Sequence, residues 1–388
     1  MPDKILLVSR CAWTLYNFRA GLMRALHQRG AIVIGGGAGG DGFEPRINAL
    51  GVPFIPLPVS RKAIHPLADV RLFCTLYRWY RRERPHVVHH FTIKPVIYGS
   101  LAARLAGVPR VVNTVTGLGF VFTEERLAWL RLLVEWQYRL ALACAHFTFF
   151  QNGDDLRLFR ARRLITSEKA GLLPGSGVDC NFFAPTATPE PSPTQPPTFL
   201  MVARLLREKG VEEFVEAARW VKCKFPKTCF QLLGGRDERN PTVVPQLDLD
   251  RWQAEGVVSW LGEVPDVRAI VGRADVVVLP SYREGTPRAL LEAAAMGKPL
   301  ITTDTVGCRE VVDDGLTGLL VPVKDAAALA QAMVKLSQNP DMRERMGKAG
   351  REKMQREFDE RLVIEKILQA YQQQTLSASQ SPTAVRGR

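Results

Sequence analysis

Short apolar runs alternate with amphipathic stretches along nearly the whole chain. In the first half the apolar runs fall at 4–8, 31–35, 53–57, 86–91, 110–115 and 146–150, and read as strands. Between them, apolar residues recur at helical spacing over 17–29, 66–83, 95–106, 125–143 and 153–161. The second half repeats the scheme. Strands are expected at 198–203, 228–233, 257–261, 275–279, 299–303 and 318–321, and helices at 210–223, 264–272, 287–296, 325–338 and 341–355. Strands alternating with helices predict parallel sheets covered by helices on both faces. An amphipathic stretch over 359–374 has no strand after it.

Residues 184–197 are Pro-rich and can be neither helix nor central strand. They divide the chain into a first domain, 1–183, and a second, 198–356, with a final helix over 357–374. Residues 376–388 have the polar composition of a disordered tail. A length of 388 residues suits two domains of ordinary size, and 46% apolar residues suffice for two cores.

Composition then narrows the setting. The seven cysteines are irregularly spaced with no CxxC pair, which fits reduced thiols and a cytoplasmic location. The start, Met1 to Arg10, runs into a strand pattern without a cleavage region, and no run of 18 uninterrupted apolar residues occurs. The net charge is +13, of which residues 1–190 carry +11. A basic half suggests an anionic surface partner, nucleic acid or an anionic membrane leaflet. Basic and aromatic residues alternate along Tyr77 to Arg84, and again along 125–143, which contains Trp129, Trp136 and Tyr138. Such helices can lie on a membrane interface or pack on a sheet.

The richest chemistry lies in Leu279-Pro280-Ser281-Tyr282-Arg283-Glu284-Gly285-Thr286-Pro287-Arg288, continuing to Glu292. A buried strand breaks into a loop carrying Glu284, and a helix begins near Pro287. Glu292 follows about a turn and a half into that helix, with seven residues between the two carboxylates. The crevice beyond the carboxyl end of such a strand is where open α/β sheets bind ligands, and free N–H groups at a helix start suit a diphosphate. Arg204 and Lys209, followed by Gly210, sit after the first strand of the second half and suit the same anion.

This constellation resembles the E-x7-E motif of retaining glycosyltransferases of family 4. The resemblance implies the GT-B fold, with two Rossmann-like domains facing a central cleft and the last helix packing back on the first domain. It assigns catalysis to Glu284, Arg204 and Lys209, with Glu284 on hydroxyls of the transferred sugar. It assigns Glu292 to ribose hydroxyls, and the N–H groups of Gly285, Thr286 and Arg288 to the distal phosphate. Gly235, Gly262 and Val264 would border the nucleotide. The segments around Asn17, Phe18 and Arg19, from His89 to Gly107, and from Asn113 to Phe120 resemble a sub-group acting on undecaprenyl-diphosphate sugars. Asn17, Phe18, Arg19, Lys94, Thr116 and Gly117 are accordingly acceptor-side candidates, Lys94 for the acceptor diphosphate. Thr116 stands where many members carry histidine, and the loop from Ser9 lacks the glycines common there. His89 and His90 can serve the site or pack.

The expected partners are a UDP-sugar donor, with an N-acetylated hexose favoured, and a polyprenyl-diphosphate-linked acceptor. A peripheral position on the cytoplasmic membrane follows from the basic first domain. A soluble sugar or metabolite acceptor is the alternative. No cofactor or metal is expected: Asp248 and Asp250 form a D-x-D, but in a polar helical stretch away from any strand end. An NAD-dependent oxidoreductase would need its glycine-rich turn to open a helix, whereas Gly35 to Gly40 follows the second strand with no matching helix start. A nucleic-acid binder would need a recognition helix, zinc site or aromatic RNA-binding run, and none is present.

Overall fold

The computed structural model describes residues 4–59, 66–117, 128–185, 196–238 and 240–372. The first domain runs β1 (Lys4–Cys11), α1 (Ala12–Gln28), β2 (Ile32–Ala38), α2 (Glu44–Asn48), β3 (Phe54–Pro56), α3 (Pro66–Glu83), β4 (Val87–Phe91), a π-turn (Pro95–Gly99), α4 (Ser100–Ala106), β5 (Arg110–Val115), α5 (Ala128–Cys144), β6 (Phe147–Phe150), α6 (Gly153–Ala161) and β7 (Ala170–Leu172). Its strands form one parallel sheet of order β3-β2-β1-β4-β5-β6-β7. Alternation along β1 sends Ile5 and Leu7 to the face covered by α1, and Leu6 and Val8 to the face covered by α3 and α4.

The second domain runs β8 (Thr198–Val202), α7 (Val211–Lys224), β9 (Cys229–Leu233), α8 (Gln246–Ala254), β10 (Ser259–Trp260), α9 (Arg268–Arg273), β11 (Val276–Leu279), α10 (Arg288–Ala295), β12 (Leu300–Thr303), α11 (Cys308–Val311), β13 (Gly318–Val321), α12 (Ala326–Gln338) and α13 (Pro340–Lys353). Its parallel sheet has the order β10-β9-β8-β11-β12-β13. In both sheets the order reverses beside the first strand, and the crevice opens at that reversal.

The last helix, α14 (Glu360–Gln372), returns to the first domain. Val363, Ile367 and Leu368 enter the core formed by α1 and the first sheet, and Tyr371 meets His89 Nδ1 through its hydroxyl at 2.7 Å. The outgoing and returning chains cross side by side. Val178 N–H donates to the Phe358 carbonyl and Glu360 N–H to the Val178 carbonyl, each at 2.9 Å. Gly177, at φ +73°, makes this possible: a Cβ there would lie 2.6 Å from Glu360 Cα.

Several expectations shift. The first domain ends near 178 rather than 183, because Val178, Cys180 and Phe183 are buried in the second core. Most of the Pro-rich segment, 186–195, lies outside the described residues, as do the tail 376–388 and the stretch 118–127. The first helix begins at Ala12 rather than near 17, directly after β1, so the expected loop between them is helical and Asn17, Phe18 and Arg19 lie in the interior of α1. Gly35, Gly36 and Gly37 belong to β2, where α1 and α3 close in from both faces; a Cβ on Gly36 would lie 2.7 Å from the Trp79 ring. Trp79 and Tyr80 are 5% and 1% exposed, so on α3 the aromatic residues that could face a membrane reduce to Tyr77.

Because α14 completes the first core from the far end of the chain, Ile367→Ala is expected to destabilise the first domain by about 2–5 kcal/mol. Hydrogen exchange checks this: amides of β1 and β4 exchange faster while those of β8 and β11 do not.

Candidate active site

The reversal in the second sheet lies between β8 and β11, so the loops leaving these strands meet. Gly210, at φ +78°, closes the first loop, and a Cβ there would collide with the Pro280 carbonyl. Only glycine allows that approach. Tyr282 N–H and the Ser281 hydroxyl both donate to the Glu208 carbonyl, at 2.9 and 3.1 Å. Locked together this way, the loops bring Lys209 Nζ to 2.5 Å from Glu284 Oε1, with side chains only 18% and 14% exposed. Arg204, at the mouth, is 53% exposed and pairs with Asp237 at 3.2 Å.

Pro287, in extended conformation, caps α10 and leads into Arg288. The N–H groups of Gly285, Thr286 and Arg288 have no acceptor among the described residues. They are unspent donors at the positive end of a helix. Glu292 is largely buried, and Arg288 Nε donates to its Oε1 at 2.6 Å. Burial raises the Glu292 carboxyl above the usual range, and Arg288 opposes the shift. Gly235 packs on the Glu263 carboxylate, Gly262 sits at φ +72° with open space around its Cα, and Val264 packs half-buried on the second core. All three follow β9 or β10, on the same edge as the two loops.

In the first domain the candidates divide. Arg19 is 4% exposed, with its guanidinium 4.3 Å above the Phe91 ring centroid, and burial lowers it to about 10. Phe18 lies 5.7 Å from Arg288 of the second domain, and Asn17 donates back to the Trp13 carbonyl at 2.9 Å. Lys94 Nζ is 2.7 Å from Asp69 Oδ1, both largely buried, so its charge is paired inside the first domain. His89 and His90 are fully buried. His89 Nε2 meets Thr114 Oγ1 at 2.7 Å; His90 bonds Tyr80 at 3.0 Å and Asn113 at 2.9 Å. Burial holds both below the usual histidine range, His90 at about 4, and both rings are engaged by neighbouring side chains. Asp248 and Asp250 lie on α8, bonded to Arg251 and Gln246.

The two domains touch at the loop that carries Glu284. A Cβ on Gly285 would lie 2.5 Å from the Thr116 carbonyl oxygen, and Gly117 stands beside it at φ +141°. Thr286 Oγ1 donates to the Gln151 carbonyl at 3.1 Å, and Asn152 Nδ2 donates to the Gly285 carbonyl at 3.3 Å. Arg283 Nη2 donates to Asp155 Oδ1 at 2.5 Å. Sequence reasoning passed over Gln151, Asn152, Asp155 and Arg283. The available signal was Asn152 three residues before Asp155 at a helix start, which reads locally as a cap.

Comparison with known proteins agrees with this fold. The family described as "Glycosyl transferases group 1" matches residues 186–353, and "Glycosyl transferase 4-like" matches residues 4–147. The N,N'-diacetylbacillosaminyl-diphospho-undecaprenol alpha-1,3-N-acetylgalactosaminyltransferase of Campylobacter jejuni is 28% identical over 95% of this chain and 98% of its own. The UDP-Gal:alpha-D-GlcNAc-diphosphoundecaprenol alpha-1,3-galactosyltransferase of Escherichia coli is 28% identical over 72% of this chain and 74% of its own. Among solved structures, Anabaena HepE in complex with UDP and glucose superposes with a TM-score of 0.77 at 17% identity, covering 95% of this chain and 98% of its own. A glycosyltransferase from Rickettsia africae gives 0.76 at 18%, covering 96% and 98%; at such identities the likeness speaks to fold alone. With the two family matches spanning both domains, the chain belongs to the group 1 glycosyl transferases, the family 4 enzymes of GT-B fold.

Proposed function

We propose that this enzyme moves a sugar, an N-acetylated hexose by preference, from a UDP-sugar to a polyprenyl-diphosphate-linked sugar, with retention at the anomeric carbon. The observation that carries the reading is the meeting of the two loops at the second reversal, where Lys209, Glu284 and three unspent N–H groups converge. The acceptor class rests on the relatives: the Campylobacter and Escherichia enzymes are both named for diphospho-undecaprenol sugars.

The chemistry is handling of charge. As the bond to the diphosphate lengthens, negative charge grows on the leaving oxygen. Arg204, Lys209 and the α10 N-terminus stabilise it from positions fixed before the reaction. Lys209 then exchanges the Glu284 carboxylate for phosphate, and Glu284 turns to the hydroxyls of the sugar. Glu292 takes the ribose hydroxyls, with Arg288 moving toward the diphosphate. The leaving phosphate assists attack by the acceptor hydroxyl on the same face, and no metal takes part.

The first domain carries the membrane reading. On α5 the exposed residues Leu132, Leu133, Trp136 (58% exposed) and Leu140 share one helix face, with Arg139 beside them. On α3, joined to α5 through α4, Leu67, Val70 and Tyr77 are exposed together with Arg78, Arg81 and Arg82. Apolar and aromatic groups among basic ones suit an anionic leaflet, where the lipid acceptor resides. No helix among the described residues is long and apolar enough to cross a membrane.

Three outcomes are expected. With UDP-sugars and a synthetic undecaprenyl-diphosphate-HexNAc acceptor, the wild type lengthens the lipid-linked glycan, undiminished by EDTA, and Glu284→Gln loses about 100-fold or more in turnover. Transfer to a soluble sugar alone moves the acceptor to that class. Second, UDP affinity by calorimetry falls as pH drops from about 7.5 to about 5, and Glu292→Gln flattens the profile. The sign follows from burial. A raised carboxyl protonates earlier on acidification and loses its power to accept two hydroxyls, while protonation relieves the burial cost and leaves the fold no weaker on its account. Third, the protein floats with anionic liposomes, and high salt or Trp136→Asp releases it.

A further inference from the structure

We propose that Asp155 and Asn152 of the first domain are positioning residues for transfer: they hold loop 283–286 of the second domain, and so the placement of Glu284 depends on the two domains being closed. The inference rests on the transferase reading and adds residues that neither the E-x7-E motif nor the Arg…Lys-Gly pattern contains.

Asp155 lies in the first turn of α6 and is 2% exposed, yet its carboxylate is spent across the domain boundary. Arg283 Nη2 reaches Oδ1 at 2.5 Å, one residue before Glu284. The other oxygen, Oδ2, accepts from Asn152 Nδ2 at 3.0 Å, and the same amide group donates to the Gly285 carbonyl at 3.3 Å, one residue after Glu284. Glu284 is therefore flanked on both sides by residues gripped from the other domain. Two further contacts tighten the grip. Thr286 Oγ1 donates to the Gln151 carbonyl, and a Cβ on Gly175 would come within 2.8 Å of Thr286 Cβ. From behind, Glu284 N–H donates to the Val306 carbonyl at 3.1 Å, which fixes the loop to its own domain.

A helix cap needs none of this. Asn152 already caps α6 by accepting from Asp155 N–H at 2.7 Å, so the cap does not use its amide N–H groups, which meet Asp155 Oδ2 and the second domain. A buried carboxylate is expensive without a partner, and here the partner is supplied by the catalytic loop. Opening the domains would strand Asp155 and release the backbone on both sides of Glu284 together. Closure and alignment are thus one event. Glu284 is aligned when the cleft is shut and water is excluded, which favours transfer over hydrolysis of the donor.

The test is steady-state transfer by the full chain with Asp155→Asn and Arg283→Gln, singly and together, and with Asn152→Ala as a milder variant that keeps the ion pair. The expected result is a fall in kcat of about 100-fold for Asp155→Asn, the scale of a 1 Å misplacement, with donor KM within about threefold. The double variant is no worse than either single one, because both remove one interaction. Arg283→Lys recovers part of the loss, and acceptor-independent release of UDP rises relative to transfer. Hydrogen exchange at 284–290 quickens in each clasp variant, a readout independent of the acceptor. A folded Asp155→Asn enzyme with kcat within about threefold of wild type, multiplying effects in the double variant, or unchanged exchange at 284–290 overturns the inference. Absence of transfer by the wild type instead overturns the reading of the acceptor, and the exchange arm still decides the clasp.

Discussion

Everything in this molecule depends on two sheets presenting their carboxyl edges to one another, and that relation is fixed where the chain crosses twice. The hydrogen bonds between Val178 and the 358–360 backbone join the outgoing and returning segments like two adjacent strands. Gly177 at φ +73° admits the close approach, and Gly21 on α1 leaves room for the Glu360 carboxylate. Burial leaves the Glu360 carboxyl raised, with Arg24 of the first domain and Arg288 of the second opposing the shift. The crossing is therefore also an electrostatic meeting of the two domains. Because α14 then fills the first core, the first domain closes its core with residues from two separated stretches of chain.

A second regularity is that the buried charges of the cleft are neutralised by each other. Lys209 holds Glu284, Arg288 holds Glu292 and Arg283 holds Asp155. Leaving any of these unpaired at such burial would cost about 3–5 kcal/mol. On the proposed reading the donor offers an exchange rather than a simple gain at the first two pairs, phosphate for Lys209 and Arg288 and hydroxyl groups for Glu284 and Glu292, while Arg283–Asp155 stays closed. A diphosphate linked to a sugar and a ribose offers both at once. A simple anion offers only half of the trade, since it leaves Glu284 and Glu292 without partners. This is a physical basis for selecting nucleotide sugars without a base-specific contact.

Much of this architecture is written locally. Apolar runs of strand length gave most strands of both sheets to within a residue or two, because parallel strands are buried on both faces and need unbroken apolar sequence, but they stopped three residues short on β1 and β2 and passed over β7. The strand–loop–helix around Glu284 was legible for the same reason: the break at Pro280 and the helix start at Pro287 are local events. Illegible features are long-range. Lys94 reads as a free cation until α3 brings Asp69 to it. Trp79 reads equally as interfacial or as packing until Gly36 of β2 shows the space it fills. The β1–α1 junction was missed because Cys11 caps the helix without a side-chain bond, leaving no signature of a start. Asn152 and Asp155 satisfy the local rule for a cap completely, so nothing in sequence marks their second partners, about 130 residues away.

The glycine of the Glu284-Gly285 pair brings these threads together. Read from sequence, its purpose is a bare N–H for phosphate. In the fold its missing side chain serves a second demand. A Cβ would meet the Thr116 carbonyl at 2.5 Å and Gln151 Oε1 at 3.1 Å, both in the opposite domain. On the other side Gly307, at φ +83°, packs against the carbonyls of Glu284 and Gly285, where a Cβ would lie within 2.6 Å of the Glu284 oxygen. The loop is thus flattened between two backbones. Its carbonyls are turned to Asn152 and Gly307, and the N–H groups of Gly285 and Thr286 have no acceptor among the described residues. The contact that joins the two domains is therefore the same contact that orients the N–H groups proposed to meet the diphosphate, and any side chain at 285 would disturb both together.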